Sequence, residues 1–68
     1  MKSKFSERLK DLRVEKRLSQ RALALEIQVS AAIISQWENG LKQPTADNIL
    51  ALSDFFDVSC DYLLGRED

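Results

Sequence analysis

The sequence predicts an all-α domain, and two observations carry that prediction. Apolar residues recur at helical spacing, as Phe5, Leu9 and Leu12 do at i, i+4 and i+7. No segment shows a convincing alternation of apolar and polar residues, which is the pattern of a half-buried strand. With 68 residues, 44% of them hydrophobic and 31% charged, the chain is expected to form one globular domain over residues 1–68.

Residues typical of helix caps and turns divide the chain into five short predicted helices. The first is predicted over roughly residues 3–16, and we expect Lys16 and Arg17 in its last turn, where basic side chains suit the negative end of the helix dipole. The second helix begins after Ser19, a predicted N-cap, and runs to about Ile27.

The third helix is predicted from Ser30, another N-cap, to about Asn39. Ile34 and Trp37 lie one turn apart on this helix and are expected to face the core. Trp37 is therefore interpreted as a core residue and not as a base-stacking platform. Asn39 and Gly40 form a stop signal, because both residue types tolerate the left-handed conformation.

Two further helices follow the only proline. Thr45 is the predicted N-cap of the fourth helix, which ends near Phe56, with Asp57 at the terminating position. Ser59 is the predicted N-cap of a short fifth helix that ends at Gly65. Its apolar residues are expected to fold back on the core: Tyr62, Leu63 and Leu64.

The connection between the second and third helices is the feature that points to function. Only Gln28, Val29 and Ser30 separate them, and so short a connection forces a sharp turn. Two helices joined in this way are typical of a helix-turn-helix, in which the second helix can enter the major groove of DNA.

Charge is distributed unevenly along the chain. Residues 1–42 hold nine basic and five acidic residues, whereas residues 43–68 hold one basic and six acidic residues. The two parts therefore carry net charges of +4 and −5, although the whole chain carries only −1. Such a molecule can present a basic end to a polyanion. An ordinary solvated surface with segregated charges is the alternative that this feature leaves open.

Composition excludes several classes of function. Cys60 is the only cysteine and there is no histidine, so a disulfide within the chain is impossible and a zinc site is disfavoured. The sequence has no glycine-rich phosphate loop, and its acidic residues are scattered. We therefore expect no enzyme, no cofactor and no small-molecule site. A charged N-terminal segment and short apolar runs predict a cytoplasmic protein without a membrane span.

The sequence resembles the Cro and phage-repressor family of helix-turn-helix domains, often called Xre-like. The matching segments occur in family order: Arg8-Leu9-Lys10-Asp11-Leu12-Arg13, Leu18-Ser19-Gln20, Leu23-Ala24, Val29-Ser30, Ile34-Ser35-Gln36-Trp37-Glu38-Asn39-Gly40, Pro44-Thr45 and Asp61-Tyr62-Leu63-Leu64-Gly65. This resemblance implies a compact five-helix, lambda-repressor-like DNA-binding domain that acts as a homodimer on a palindromic operator. Gln28 and Asp57 depart from the family, which commonly has glycine at both positions.

The resemblance also implies where DNA is contacted. Gln20 is expected to clamp a phosphate at the start of the second helix, and Ser19 to cap that helix beside the same phosphate. The third helix is expected to expose one surface to DNA, formed by Ser30, Ala31, Ala32, Ile33, Ser35, Gln36 and Asn39. The loop after that helix is expected to grip phosphates through Asn39, Lys42, Gln43 and Thr45.

Base reading maps mainly onto Ala31, Ala32 and Gln36. Gln36 can form a bidentate pair with adenine, whereas the alanines can contact only thymine methyl groups or serve simply as helix formers. The resemblance also implies that Arg13 and Glu38 form a structural ion pair between the first and third helices, a pairing that suits the planar guanidinium.

Sequence-specific binding of double-stranded DNA by a transcriptional repressor is the leading interpretation. A protein-interaction module on the same fold, such as an antitoxin or anti-repressor component, is the alternative, because a fold does not fix its function. Leu25, Phe55 and Tyr62 are candidates for exposed apolar surface and for a dimer contact near the fifth helix, with scattered surface exposure as the plainer explanation.

Overall fold

A computed structural model describes residues 3–67 of the chain. Within that range the chain forms five helices and no strand, which confirms the all-α prediction. In chain order the helices are α1 (Lys4–Glu15), α2 (Gln20–Ile27), α3 (Ala31–Glu38), α4 (Ala46–Phe56) and α5 (Cys60–Leu63).

Each helix begins at a hydroxyl side chain that accepts a backbone N–H from the first turn. The cap residues are Ser3, Ser19, Ser30, Thr45 and Ser59, and their hydroxyls accept from the N–H groups of Ser6, Ala22, Ile33, Asn48 and Tyr62. A cap of this kind satisfies a backbone donor that has no partner inside the helix. The four predicted N-caps are confirmed, and Ser3 is a fifth that the sequence analysis did not name.

The helices also end in one common way. A residue with positive φ follows the last turn of each helix: Arg17, Gln28, Gly40, Asp57 and Gly65. The next residue then donates its N–H to the carbonyl five positions earlier, as Val29 does to Ala24 at 2.9 Å. This is the hydrogen bond of a Schellman motif, which satisfies a carbonyl at the helix end.

These endings correct two expectations. Arg17 was expected in the last turn of α1, but it lies beyond the helix with φ 59° and forms the turn itself. Asn39 was expected to share the left-handed stop with Gly40, but its φ is −94°, and only Gly40 is left-handed there. The left-handed turn needs one residue, and glycine takes it at the lowest steric cost.

One hydrophobic core joins all five helices. Its buried apolar residues are Phe5, Leu9, Leu23, Ala24, Ile34, Trp37, Ile49, Leu52, Phe56 and Leu63. Trp37 is 1% exposed, and Phe5 meets its ring edge-on with 6.3 Å between the ring centroids. The prediction that Trp37 is a core residue is therefore confirmed.

Three apolar residues near α5 differ from expectation. Leu64 was expected to fold onto the core, but it is 45% exposed because the helix ends before it. Phe55 and Tyr62 were candidates for exposed apolar surface, but both are half-buried, and a basic side chain lies over each ring. The Lys16 ammonium lies 5.6 Å from the ring centroid of Phe55, and the Arg8 guanidinium lies 4.3 Å from that of Tyr62.

Within residues 3–67, no helix is both long and apolar enough to cross a membrane.

Candidate nucleic-acid interface

Helices α2 and α3 pack directly against each other across a tight turn. Gln28 ends α2 with φ 60° and ψ 48°, and Ser30 caps α3 two residues later. Leu23 and Ala24 of α2 are buried together with Ile34 of α3. The small Ala24 side chain allows the two helices to approach closely, and the predicted helix-turn-helix is present.

Helix α3 has two distinct sides. Ile34, Trp37 and Glu38 are buried on one side. On the other side Ala32 and Asn39 are exposed and Gln36 is half-buried, at the i, i+4 and i+7 spacing that aligns side chains along one face of a helix. Residues 30 and 31, at the start of α3, are exposed as well. The only charged residue of α3 is buried, so its exposed side is uncharged.

The exposed side of α3 is narrower than the sequence predicted. Ile33 was expected to belong to it, but Ile33 is half-buried and packs against the core. The cause is its position beside the fully buried Ile34, at the margin between the two sides. Ser35 is also half-buried, with its hydroxyl 3.3 Å from the Asn39 side-chain nitrogen.

The loop after α3 is exposed and carries three of the predicted phosphate contacts. Lys42 and Gln43 are exposed, and exposed Thr45 caps α4. Asn39 donates from Nδ2 to the Ser35 carbonyl at 2.9 Å, so part of its amide closes the end of α3. Leu41 is 73% exposed in the same loop and was not among the predicted contacts.

The start of α2 lies beside the buried end of α3. Ser19 accepts the Ala22 N–H at 3.0 Å, which confirms its capping role. Gln20, the first residue of α2, is half-buried and donates from Nε2 to Oε1 of Glu38 at 3.2 Å. Neither the predicted phosphate contact of Gln20 nor its reading as an ordinary polar residue at the helix start anticipated this bond.

Arg13 and Glu38 form the predicted ion pair. Arg13 donates from Nε to Oε2 of Glu38 at 2.6 Å and from Nη2 to Oε1 at 3.0 Å, a two-point contact between α1 and α3. The side chains are 13% and 4% exposed. The hydrogen bonds that Arg13 donates to the Glu38 carboxylate raise the pKa of Arg13, while partial burial acts in the opposite direction. Arg13 also donates from Nη1 to the Leu18 carbonyl at 2.7 Å, which ties the pair to the turn before α2.

A second bond between α1 and α3 was not foreseen. Ser6 is 2% exposed, and its hydroxyl donates to the Trp37 carbonyl at 2.6 Å. The one available signal was the spacing from Ser6 to Leu9, which places the serine on the apolar side of α1. Ser6 and Arg13 therefore fix the position of α3 from the side opposite its exposed face.

Within residues 3–67, no group of three or more acidic residues and cysteines is placed to hold a metal ion.

The exposed side of α3, the start of α2 and the loop before α4 together form the candidate interface.

Comparison with known proteins identifies related domains. The family model described as helix-turn-helix matches residues 9–63. The HTH-type transcriptional activator BcrR of Enterococcus faecalis is 41% identical over 64 residues, which cover 94% of this chain and 31% of that protein. Repressor protein C2 of Salmonella phage P22 is 41% identical over 60 residues, which cover 88% of this chain and 28% of that protein.

A solved structure shares the whole architecture. The chain is similar to the P22 c2 repressor protein in its crystal structure with synthetic operator 9T, with a TM-score of 0.87 and 38% sequence identity. The match covers 93% of this chain and 96% of that one. The chain spans about a third of the length of the two curated relatives named above. From the family match, these relatives and the shared fold, the chain belongs to the helix-turn-helix family, among its Cro-like and phage-repressor-like domains.

Proposed function

We propose that this domain binds double-stranded DNA sequence-specifically, with α3 in the major groove, and acts as a transcriptional repressor. The observation that carries the proposal is the two-sided character of α3. Its inner side is fixed in the core through Ile34 and Trp37, while its outer side is uncharged and begins with the small residues Ala31 and Ala32. A helix presented in this way can approach base edges without burying an unpaired charge.

Phosphate contacts are proposed on either side of α3. Ser19 and Gln20 lie where the first-turn N–H groups of α2 and the helix dipole favour an anion. Beyond α3, the proposed contacts are Asn39, Lys42, Gln43 and Thr45, all of them exposed. Contacts of this kind set the register of the helix on the duplex, whereas base contacts supply the sequence preference.

Base contacts are proposed from the outer side of α3. Gln36 has a side-chain amide able to form paired hydrogen bonds with adenine. Ala31 and Ala32 offer apolar contact to thymine methyl groups, and Ser30 and Ser35 offer hydroxyls. Ile33 can offer apolar contact only through the exposed part of its side chain, because the rest packs against the core. Because the outer side of α3 offers few side chains that form strong hydrogen bonds with bases, we expect part of the specificity to come from DNA shape and bridging water.

We further propose that two copies bind one two-fold operator. The longest extent of the Cα positions is 27 Å, which is shorter than the roughly 34 Å between successive major grooves on one side of a duplex. One copy therefore reads a single groove, and a two-turn operator needs two. The similarity to the P22 c2 repressor in its operator complex supports repression as the outcome.

Selection of bound duplexes from a random pool tests this proposal. We expect an enriched motif with two-fold symmetry and half-site centres about 10 base pairs apart. A parallel pull-down from cells addresses the protein-interaction alternative. A stoichiometric protein partner together with no enriched DNA motif would contradict the proposal.

A further inference from the structure

We infer that Glu38 is a positioning residue for DNA binding, which acts by holding the Gln20 side chain at the start of α2. The inference rests on the proposed function and deepens it. It adds that the phosphate contact of Gln20 depends on a buried carboxylate of α3, and not only on the N–H groups and dipole at the start of α2.

The geometry of the Glu38 carboxylate supports this role. Glu38 is 4% exposed, and its two oxygens accept three hydrogen bonds, two from Arg13 and one from Gln20. Oε1 is shared, because it accepts both Nη2 of Arg13 at 3.0 Å and Nε2 of Gln20 at 3.2 Å. The last turn of α3, the end of α1 and the first residue of α2 thus meet at one group.

An ionised carboxylate accepts hydrogen bonds and cannot donate them, so it fixes which end of the Gln20 amide faces inward. The NH₂ group must point to Glu38, since the amide oxygen would be repelled there. One Nε2 proton is then used by Glu38, and the second proton and the backbone N–H of Gln20 are the donors left for a phosphate. The amide reaches the phosphate already oriented, which reduces the entropy lost on binding.

Arg13 makes this arrangement compatible with an anionic ligand. A carboxylate next to a phosphate-binding amide would repel the phosphate if its charge were not neutralised. The two-point Arg13 contact at 2.6 and 3.0 Å supplies that neutralisation. Glu38 can therefore orient Gln20 without opposing DNA.

A set of four proteins tests the inference: the unmodified domain, Gln20→Met, Arg13→Met/Glu38→Met, and the triple variant. Methionine matches the length of the Gln and Glu side chains, is shorter than arginine, and removes the hydrogen bonds at all three positions. Replacing both members of a buried ion pair by apolar residues is often neutral or stabilising, so the double variant is suited to folded-state measurements. The readout is affinity for one selected duplex, with folding checked by circular dichroism.

We expect Gln20→Met to weaken binding by about tenfold in the unmodified background and by less than twofold in the Arg13→Met/Glu38→Met background. This loss of additivity isolates the positioning role, because a phosphate contact made by Arg13 itself would lower affinity equally with and without Gln20. An equal loss in both backgrounds would overturn the inference and leave the proposed function intact. Absence of salt-dependent DNA binding by the unmodified domain would overturn both.

A second measurement does not depend on the variants folding. In NMR spectra of the unmodified domain, we expect one side-chain amide proton of Gln20 to keep its chemical shift when DNA is added, while the other proton moves. Movement of both protons, with loss of the contact to Glu38, would overturn the inference.

Discussion

At the residue scale, three helices end at a left-handed residue that is not glycine. Arg17, Gln28 and Asp57 have φ values of 59°, 60° and 56°. The left-handed conformation costs an L-residue with a Cβ about 1–2 kcal/mol, although Asp is better tolerated than most. These positions are therefore local sites of backbone strain that the surrounding fold overcomes.

Replacing Gln28 with glycine is expected to raise the free energy of unfolding by about 1 kcal/mol, because glycine removes the left-handed penalty and outweighs its own gain of freedom in the unfolded chain. Urea unfolding measures the change. Gly40→Ala, at φ 73°, is the opposite control and should destabilise the domain. A lower stability for Gln28→Gly would show that the Gln28 side chain makes a favourable contribution that exceeds the strain.

Ser6→Ala is expected to lower the free energy of unfolding by about 0.5–1.5 kcal/mol, because it removes the hydroxyl that donates to the Trp37 carbonyl at 2.6 Å while that carbonyl still accepts the Gly40 N–H. Ser3→Ala serves as the comparison, since Ser3 is exposed and acts as an N-cap. Thermal unfolding followed by tryptophan fluorescence suits this test because Trp37 is the only tryptophan. Unchanged stability for Ser6→Ala would contradict the assigned role of this bond.

Gln36→Ala is expected to relax the preference at one base pair by about 1–3 kcal/mol, because it removes a side chain of the reading face that can pair with adenine at two points. Selection from random duplexes with the variant measures the change position by position. Lys42→Ala provides the contrast and should weaken binding to all sequences alike. A selected motif identical to that of the unmodified domain would remove Gln36 from base reading.

At the element scale, the sequence predicted each helix because its signals are local. Ser19, Ser30, Thr45 and Ser59 act as caps within their own first turns, and the apolar spacing of α1 is likewise a short-range pattern. The unforeseen bonds from Ser6 to Trp37 and from Gln20 to Glu38 join residues 31 and 18 positions apart. Such pairs depend on how the helices pack, which propensity and spacing do not encode.

In the candidate site, too, features set by local sequence were predicted from it, whereas features that depend on helix packing were not. Exposure of Ala31, Ala32 and Asn39 followed from helical spacing once the core side of α3 was known. Ile33 is less exposed than predicted because it lies at the margin of that side, where its half-buried side chain packs against the core. The pairing of Arg13 with Glu38 was predicted through the family resemblance, since no local pattern joins residues 25 positions apart.

Ala32→Glu is expected to abolish specific DNA binding while leaving the helix content unchanged, because it places a negative charge on the exposed side of α3 that would face base edges and phosphates. Arg66→Gln changes the net charge by the same amount at the exposed, acid-rich end of the chain, and it should bind nearly as well as the unmodified domain. Binding titrations at fixed salt compare the two. Equal affinities for both variants would show that α3 does not approach DNA.

At the scale of the whole molecule, the charge asymmetry predicts salt-sensitive binding. Phosphate contacts release counterions, so log K should fall with log salt concentration by about 0.9 for each phosphate neutralised. Lys42→Ala should reduce that slope by about 1, whereas Lys10→Ala, an exposed lysine outside the proposed site, should reduce it less. Affinity that stays constant between low and moderate salt would rule out phosphate-dominated binding.

The central claim is that the outer side of α3 enters the major groove, and mapping the contact surface by NMR tests it most directly. On adding a selected duplex, we expect the largest backbone shifts at residues 30–36 of α3 and at Gln20, with small shifts across the acidic end formed by α4 and α5. Shifts centred on α4 and α5, with α3 unchanged, would contradict the account.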